Sequence, residues 1–326
     1  MALNRSALIA GVLGVAVIVA LAVNFDPEKI RASIADIGWG GVAALALFRL
    51  LPVLLCALGW WLLVPPSHAL PFSACLGARL GRDGVSGVIA VLPAGGEIVG
   101  ARMLALRGLT PSMAAATMVA DLTVEMASQA VFTLLGIAAL FLSIPGAAGW
   151  WAWVALVLSV LMVLGLWLLQ HPRLLAVVET LAARLVSGPV WEAWLCGGSG
   201  LRSALDGVYG QRWRLAGGFG VHLLAWLVGV AESWLALRMM GQPMDYVPVL
   251  ALEAVVFAVR NVSFAVPWAA GVQEGGYLAL GVALGMGPEV ALTLSLVRRF
   301  PDFVLGLPGL LLWQLQERRS LVAESP

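Results

Sequence analysis

Long, nearly charge-free apolar runs are the feature that most restricts how this chain can fold. Hydrophobic residues make up 61% of its 326 residues and charged residues only 11%, whereas a soluble domain carries roughly a quarter charged residues. A run of about 18 apolar residues is long enough to cross ~30 Å of hydrocarbon. The sequence therefore predicts an all-α polytopic membrane protein, and its net charge of +1 excludes an extended basic surface for nucleic acid.

The apolar runs lie at residues 6–23, 38–64, 72–92, 112–142, 150–169, 216–238, 247–266 and 289–314. The third and the seventh run carry charges and then break at Pro93 and Pro267. Charges at membrane depth cost roughly 2.5–3.5 kcal/mol each on an insertion scale, and broken backbone is tolerated there only inside protein or beside water. We therefore expect six full transmembrane helices and two re-entrant helical hairpins, at 72–104 and 247–282. Eight full spans are the alternative, although they would carry both broken segments through the whole bilayer.

The charges in the loops predict the orientation. With six spans, both termini and the 170–215 linker share one side, whose arginines are Arg5, Arg173, Arg184, Arg202, Arg212, Arg214, Arg318 and Arg319. The other side carries only Lys29, Arg31 and Arg238, so the positive-inside rule places both termini in the cytoplasm. The run at 6–23 is longer than a signal-peptide core, and we expect a retained first helix. The linker is expected either at the cytoplasmic interface or packed on the bundle.

An internal repeat becomes visible when the sequence is shifted by 177 positions. The shift aligns Glu97 with Glu274, Gly108 with Gly285, Pro111 with Pro288, Asp121 with Arg298 and Glu125 with Asp302. The predicted topology makes the two copies, residues 38–142 and 216–314, opposite in orientation. Inverted repeats with broken helices are typical of secondary transporters, whose substrate site lies near the midplane. A pair of packed hairpins without a gate is the structural alternative.

Two short stretches combine a backbone break with an acid, LPAGGEIVGARML from Leu92 to Leu104 and VPWAAGVQEGGYL from Val266 to Leu278. Broken helix ends offer unpaired amides and a partial positive charge, which suit a phosphate or a carboxylate. The Gly-x-x-x-Gly pairs that begin at Gly96 and Gly271 fit close helix contacts. We predict that the hairpins form a substrate-binding site of Arg79, Arg82, Glu97, Arg102, Gln273 and Glu274.

A second set of charges lies inside the predicted spans. Asp121 and Glu125 are four residues apart, share a helix face and would repel each other if both were ionised. Unpaired ions are costly at that depth, and the repeat places Arg298 and Arg299 on the matching helix. We therefore predict that Asp121 and Glu125 pair with these arginines. The predicted buried charge network consists of Asp121, Glu125, Arg298, Arg299 and Asp302, with structural and functional roles both open.

No pattern for catalysis, cofactor binding or metal binding stands out in the sequence. The three cysteines and three histidines are scattered, and no HExxH motif, GxSxG motif or nucleophile–base pair occurs. We interpret Cys56, Cys75 and Cys196 as small apolar residues within helices and expect a core without histidine. The chain is therefore predicted not to be an enzyme and to need no cofactor and no metal.

The same stretches carry a family resemblance. LPAGGEIVGARML followed by DLTVEMASQ, and VPWAAGVQEGGYLALGVALGMG followed by ALTLSLVRRFPDFVLGLPGLLLWQ, resemble the flippase-like membrane domain of lysylphosphatidylglycerol synthases. They look most like the stand-alone members associated with hopanoid biosynthesis, over residues 40–315. The matching positions are Gly96, Glu97, Arg102, Gly271, Val272, Glu274 and Arg298 or Arg299. The family's commoner form has an arginine before Gly-Glu, where this chain has Ala94 and Gly95.

The resemblance implies lipid translocation across the bacterial inner membrane. We predict a lipid transporter or flippase for a polar-headgroup or hopanoid-type lipid, and the alternative is a proton- or ion-coupled carrier of a small solute. An intramembrane enzyme ranks third. The expected partners are membrane lipids, with other lipid-biosynthesis or transport proteins and a homo-oligomer as further options. Bifunctional family members carry a soluble aminoacyl-transfer domain after the membrane domain, and because this sequence ends at Pro326 we expect none here.

Overall fold

A computed structural model describes residues 27–68, 70–89, 95–144, 157, 198–262 and 269–323. These residues form nine α-helices and no strand, so the all-α prediction is confirmed for this part of the chain. The helices are α1 (Pro27–Leu63), α2 (Phe72–Gly84), α3 (Gly95–Ala105), α4 (Pro111–Ser143), α5 (Gly198–Tyr209), α6 (Arg212–Met239), α7 (Tyr246–Val262), α8 (Val272–Ala283) and α9 (Pro288–Ala323). A π-helical turn, Val85–Ile89, continues α2.

Three helices are long and apolar enough to cross a membrane: Ile30–Leu63 within α1, and the whole of α4 and α6. They correspond to the predicted runs at 38–64, 112–142 and 216–238 and support a membrane location. Other predicted features lie outside the described residues, namely the run at 6–23, most of the run at 150–169, most of the 170–215 linker and both breaks at Pro93 and Pro267.

The long helices α1 and α6 run antiparallel. Gly59, near the end of α1, faces His222 in the first half of α6, and Gly41 faces Met239, the last residue of α6. The end of the bundle where α1 ends and α6 begins is named the basic end, because it carries Arg107, Arg212, Arg214, Arg318 and Arg319. The other end is named the opposite end.

Helix α4 starts at the basic end and runs parallel to α6. Val124 lies beside Gly218. Eight residues further along both helices, the ring of Phe132 stacks on Trp226 at 5.7 Å between ring centres. Since α1 ends and α4 begins at the basic end, the α2–α3 hairpin between them begins and ends there. Its arms contain 13 and 11 residues, which span about 20 Å and 16 Å at 1.5 Å per residue.

The α7–α8 hairpin lies the other way round. Helix α6 ends and α9 begins at the opposite end, so the hairpin between them begins and ends at that end. Its arms are antiparallel, because Tyr277 reaches Glu253 and Gly276 packs on Val256. From there α9 runs 36 residues towards the basic end, where Glu317 contacts Arg102.

Residues aligned by the 177-position shift occupy equal places in the two hairpins. Gly108 and Gly285 follow the second arms and both have a positive φ, 109° and 90°, a conformation that only glycine adopts without strain. Pro111 and Pro288 are the first residues of α4 and α9, the helix position at which proline is most easily accommodated. The same sequence signals therefore end each hairpin and start each long helix.

Glycines bring the first hairpin into close contact with its neighbours. A Cβ on Gly84 would lie 2.5 Å from the carbonyl oxygen of Gly306, and a Cβ on Gly309 would collide with the carbonyl of Leu80, so α2 and α9 meet backbone to backbone. Gly96 lies equally close to the backbone of α2, as expected for its Gly-x-x-x-Gly pair. The second pair shows no such contact at Gly275 within the described residues, because an added Cβ there would meet none of their atoms within 4 Å.

Candidate functional site

Two groups of buried charged residues lie along the hairpins. The first charge cluster consists of Arg79, Arg82, Asp83, Glu97, Asp121, Glu125 and His222. The second charge cluster consists of Arg49, Glu232, Glu253, Arg260, Glu274, Arg298, Arg299 and Asp302. Each cluster joins hairpin residues to residues of the long helix that follows the hairpin, and α6 contributes one residue to each.

Arg79 of α2 forms a two-pronged contact with α4. Its Nη2 lies 2.9 Å from Oε1 of Glu125 and its Nη1 lies 3.2 Å from Oε2, the fork geometry in which guanidinium and carboxylate bind most strongly. Its Nε donates to Asp83, one turn further along α2, at 2.9 Å. The guanidinium therefore bridges the first hairpin to the spanning helix α4.

Arg82 lies one turn further into the hairpin and meets three acids. Its Nη1 is 2.9 Å from Glu125 and 3.2 Å from Asp121, and its Nε is 3.4 Å from Glu97 on the returning arm α3. The side chain of Glu97 is 26% exposed, while that of Asp121 is fully buried. Glu97 is consequently the acid of this set that is most open to another partner.

His222 of α6 completes the first charge cluster. Its Nε2 lies 2.9 Å from Oδ1 of Asp121, and both side chains are fully buried. The expected core without histidine is therefore wrong. Cys56, Glu125 and His222 also offer ligand atoms within 4.8 Å of one another, but the carboxylate of Glu125 already faces two guanidinium groups. A metal ion would have to displace those groups, so this arrangement fits a metal poorly.

Arg298 is the centre of the second charge cluster. Its Nη1 lies 2.8 Å from Glu232 on α6, and its Nη2 donates to Glu253 on α7 at 3.1 Å. The hydroxyl groups of Ser233 and Tyr277 also donate to Glu253, at 2.6 Å and 2.7 Å. Glu253 is thus saturated by one cation and two hydroxyl groups, as a buried carboxylate requires.

Glu274 both caps its own helix and pairs with an arginine. The backbone N–H of Gly271, just before α8, donates to its Oε2 at 2.8 Å, which is the return half of a capping box. The guanidinium of Arg299 donates to both carboxylate oxygens at 2.7 Å and 3.1 Å. The side chain of Glu274 is fully buried, so its position is set by contacts within the protein.

Arg260, near the end of α7, has the loosest pairing among the hairpin arginines of the described residues. It lies 3.9 Å from Asp302, and its side chain is 33% exposed. Asp302 is held from its other side by Arg49 at 3.4 Å, and Arg49 also contacts Glu232 at 3.3 Å. Arg260 is therefore a cation at the inner end of the second hairpin that is only partly neutralised.

The predicted pairing of Asp121 and Glu125 with Arg298 and Arg299 is wrong. The two acids pair with arginines of the first hairpin and with His222, while Arg298 and Arg299 pair with acids of α6, α7 and α8. The shift in sequence identifies positions that are equivalent in the two repeats. Equivalent positions need not touch, and here each hairpin neutralises its own long helix.

The predicted substrate residues divide between the clusters. Arg79, Arg82 and Glu97 lie together in the first charge cluster. Glu274 lies in the second, and its neighbour Gln273 is buried and donates to the backbone and hydroxyl oxygens of Ser295. Arg102 lies apart from both clusters. It pairs with Glu317 near the basic end at 3.1 Å.

Sequence reasoning missed His222 and Glu232, and it assigned none of Arg49, Glu253 and Arg260 to a site. The available signal was a charged or titratable residue inside an apolar run, since such residues are rare in membranes and face protein or water. His222 and Glu232 are ten residues apart on α6, which separates them by about 15 Å. One spanning helix can therefore serve both clusters.

These helices define a class of protein: an all-α membrane protein in which two hairpins, directed from opposite ends, hold buried ion pairs. The chain matches the family model for the lysylphosphatidylglycerol synthase TM region over residues 8–309 and belongs to that family. Searches of curated proteins and of solved structures gave no match for the chain. The resemblance predicted from the hairpin stretches is confirmed for the family, while the likeness to hopanoid-associated members stays a prediction.

Proposed function

We propose that this protein is a lipid transporter or flippase that carries a polar headgroup between the membrane leaflets, along the inner ends of its two hairpins. Membership of the lysylphosphatidylglycerol synthase TM family and the helical membrane fold agree with a flippase-like, lipid-related role. The observation that carries the proposal is Arg260, a partly exposed arginine at the inner end of a hairpin. Among the described residues its acidic partner, Asp302, is 3.9 Å away, and its guanidinium also lies over the ring of Phe257.

The proposed membrane placement has six full spans and two re-entrant hairpins in an inverted repeat. Trp39 on α1 and Trp213 on α6 are 89% and 91% exposed, and tryptophan favours the headgroup level. Gly41, two residues after Trp39, faces Met239, so Met239 marks the level of Trp39 on α6. Met239 is 26 residues from Trp213, or about 39 Å along α6. That distance approaches the ~40–45 Å of a bilayer with its interfaces. The arms of the first hairpin are too short to span ~30 Å of hydrocarbon.

The basic end is proposed to face the cytoplasm of a bacterial cell, at its inner membrane. Its arginines outnumber those of the opposite end, which carries Arg31 and Arg238 in the described residues, and cytoplasmic loops are enriched in such residues. On this orientation the first hairpin enters from the cytoplasm and the second from outside. Opposed broken helices of this kind are the arrangement that places transporter sites near the midplane.

Arg260 is proposed to bind the anionic part of the headgroup. A phosphate can replace Asp302, 3.9 Å away, with a closer two-pronged contact, because guanidinium and phosphate match in geometry. Glu97 on the first hairpin is proposed to receive a cationic group or a proton, since its carboxylate is partly exposed and 3.4 Å from Arg82. The other predicted substrate residues, Arg79, Gln273, Glu274 and Arg102, are proposed to hold these two groups in place.

The cargo is proposed to be a phospholipid or a hopanoid-type lipid with a polar headgroup, and no catalytic step, cofactor or metal is part of the proposal. The expected partners are membrane lipids, other lipid-biosynthesis proteins and a second copy of the chain. The second candidate is a proton-coupled carrier of a small solute. It is favoured by the buried hydrogen bond between His222 and Asp121, because chains of histidine and acidic residues form proton relays in pumps and transporters.

The test is leaflet exchange in reconstituted vesicles. A phospholipid with a fluorescent headgroup is distributed in both leaflets, and a membrane-impermeant quencher reports how fast inner-leaflet lipid reaches the outside. We expect Arg260→Gln to lower the exchange rate at least tenfold without loss of folded protein. Arg238→Gln is the control, because Arg238 stacks on Trp234 at the opposite end and lies outside both clusters. Wild-type exchange by the Arg260→Gln protein would overturn the proposal.

A further inference from the structure

A groove at the basic end lies outside both charge clusters. It has a volume of about 400 Å³ and is named the basic groove. It is lined by Leu106, Arg107, Leu312, Leu315, Gln316, Arg319 and Ser320. A smaller cavity of about 170 Å³ adjoins it and shares Arg107, Leu312 and Gln316. The groove therefore lies where the end of the first hairpin meets the last turns of α9.

The two arginines of the basic groove are exposed. Within the described residues, neither Arg107 nor Arg319 has a carboxylate partner. The neighbouring pair shows the contrast, because Arg102 and Glu317 on the same two elements neutralise each other at 3.1 Å. The basic groove contains no acid among its lining residues, so it offers two uncompensated cations to a ligand.

The wall of the basic groove is apolar. Leu312 and Leu315 of α9 are exposed along it, and Leu106 lines its other side. Two cations above an apolar wall match a molecule with an anionic head and a hydrocarbon tail. The side-chain amide of Gln316 is not available to such a head, because it donates to the backbone of Met103 at 2.8 Å. The hydroxyl of Ser320 is also engaged, with the carbonyl of Glu317.

We propose that the basic groove binds an anionic glycerophospholipid of the inner leaflet, with its phosphate between Arg107 and Arg319 and an acyl chain along Leu312 and Leu315. Guanidinium groups bind phosphate in a two-pronged manner, and basic residues at the cytoplasmic membrane surface attract anionic lipids. The proposal rests on the cytoplasmic orientation given under Proposed function. The bound lipid is a resident of this groove and not the cargo.

The bound lipid links two elements that are otherwise joined there by the ion pair between Arg102 and Glu317 and by the hydrogen bond from Gln316 to Met103. Arg107 follows α3, the returning arm of the first hairpin, and Arg319 lies near the end of α9. A phosphate shared by both arginines holds these ends together, beside the contact between Arg102 and Glu317. The lipid thereby supports the position of the first hairpin, whose other arm is already packed on α9 through Gly84 and Gly306.

The test measures lipid retention by the purified full-length protein. Protein extracted from nanodiscs containing phosphatidylglycerol or phosphatidylcholine is analysed by native mass spectrometry, and retained lipids are counted. We expect the wild type to retain phosphatidylglycerol. We expect the double variant Arg107→Gln/Arg319→Gln to need at least ten times more phosphatidylglycerol in the nanodiscs for the same retention. The matched control is Arg212→Gln/Arg318→Gln, which removes the same charge from exposed positions of the same end outside the groove. We expect this control to bind within twofold of the wild type.

Further measurements distinguish a lipid phosphate from a soluble phosphate as the ligand, and distinguish lipid binding at this groove from lipid transport. Glycerol phosphate and inorganic phosphate should not displace the lipid, even at concentrations high enough to occupy both arginines. Leu315→Gln should weaken phosphatidylglycerol retention. Wild-type retention by the Arg107→Gln/Arg319→Gln protein would overturn the proposal, as would an equal loss in the control or full displacement by either soluble phosphate. The variant should still exchange lipids in vesicles, whereas failure of the proposed function would be seen as absent exchange in the wild type.

Discussion

The most buried ion pairs of the first hairpin join hairpin arginines to acids of the long helix that follows it, whereas those of the second hairpin join hairpin acids to arginines of its long helix. Arg79 and Arg82 of α2 face the acids of α4, while Glu253 and Glu274 face Arg298 and Arg299 of α9. Opposite signs at equivalent places satisfy the same physical need, because a buried charge is tolerated only when it is paired. The repeat therefore preserves paired charges in the protein interior, while the cation of each pair can lie either on the hairpin or on the long helix.

The hairpins also differ in how completely their charges are balanced. In the first charge cluster, two arginines and His222 face four acids, while the second has four arginines and four acids. The equivalent acids Glu97 and Glu274 also differ in exposure, since the side chain of Glu97 is 26% exposed and that of Glu274 is fully buried. The first hairpin has spare negative charge, and the second has little spare charge of either sign.

The largest effect is expected when the central cation of the second charge cluster is removed. Arg298→Gln leaves Glu232 and Glu253 without their closest cation, and breaking a buried pair in this way costs roughly 3–5 kcal/mol. Unfolding in detergent by heat or denaturant measures the loss. Adding Glu253→Gln to Arg298→Gln removes one unpaired acid and should recover part of it. If the double variant is no more stable than the single one, the assigned partner is wrong.

Loss of an acid should cost less in the first charge cluster than in the second. Asp121→Asn removes one of four acids that share two arginines and keeps a hydrogen-bonding side chain, so we expect about 1–3 kcal/mol. Glu253→Gln in the balanced cluster should cost more. The cross-cluster exchange Asp121→Arg/Arg298→Asp should not recover stability, because these residues are not partners. Equal costs for the two single variants, measured by the same unfolding experiment, would remove the proposed difference in balance.

Packing gives a smaller contrast between the hairpins. Gly309→Ala places a Cβ against the backbone of Leu80 beside the first hairpin, and overpacking of this kind costs roughly 1–3 kcal/mol. Gly275→Ala in the second hairpin meets open space among the described residues and should be neutral or stabilise α8 by about 0.5–1 kcal/mol. Melting temperatures of the two variants compare them directly. A destabilised Gly275→Ala protein would show that α8 is more tightly packed than described.

The smallest effect on stability is expected for Arg260→Gln. The contact with Asp302 is 3.9 Å long and the side chain is one-third exposed, so the change should cost no more than about 1 kcal/mol. A near-normal melting temperature together with lost leaflet exchange separates a role in transport from a role in folding. A melting temperature as low as that of Arg298→Gln would instead make Arg260 a structural part of the second charge cluster.

The sequence was sufficient for the hairpin ends and insufficient for the partners of the charges. Pro111 and Pro288 start helices and Gly108 and Gly285 end the arms before them, because these residues have strong local conformational preferences. Which arginine meets Asp121 depends on how helices pack, and no local preference encodes that. The sequence repeat suggested Arg298, whereas the hairpin geometry gives Arg82 and His222.

The buried histidine shows a second limit of the sequence. His222 is surrounded in sequence by apolar residues and glycines, so nothing local indicates that its ring meets Asp121. Its position follows from the close approach of α1 and α6, in which Gly59 leaves room for the imidazole. Residues that act across two helices become visible only when both helices are placed. The charges within apolar runs, such as Glu232 and Arg260, were detectable as unusual but could not be assigned partners.

We propose that the two hairpins enter the membrane from opposite sides and that each leaves on the side where it entered. Labelling of single cysteines by a membrane-impermeant maleimide, in intact cells and in inverted membrane vesicles, tests it directly. The starting protein has its own cysteines, Cys56, Cys75 and Cys196, replaced by alanine. The first hairpin is flanked by Ser73→Cys and Thr110→Cys, and the second by Asp245→Cys and Gly287→Cys, all at exposed positions.

We expect Ser73→Cys and Thr110→Cys to react only from the cytoplasmic side, and Asp245→Cys and Gly287→Cys to react only from outside. Each hairpin then has both ends on one side, and the two hairpins are inverted with respect to each other. Reaction of Ser73→Cys and Thr110→Cys from opposite sides would give the first hairpin an odd number of full crossings, such as a single span, and would contradict this topology. Reaction of all four positions from one side would contradict the inverted repeat.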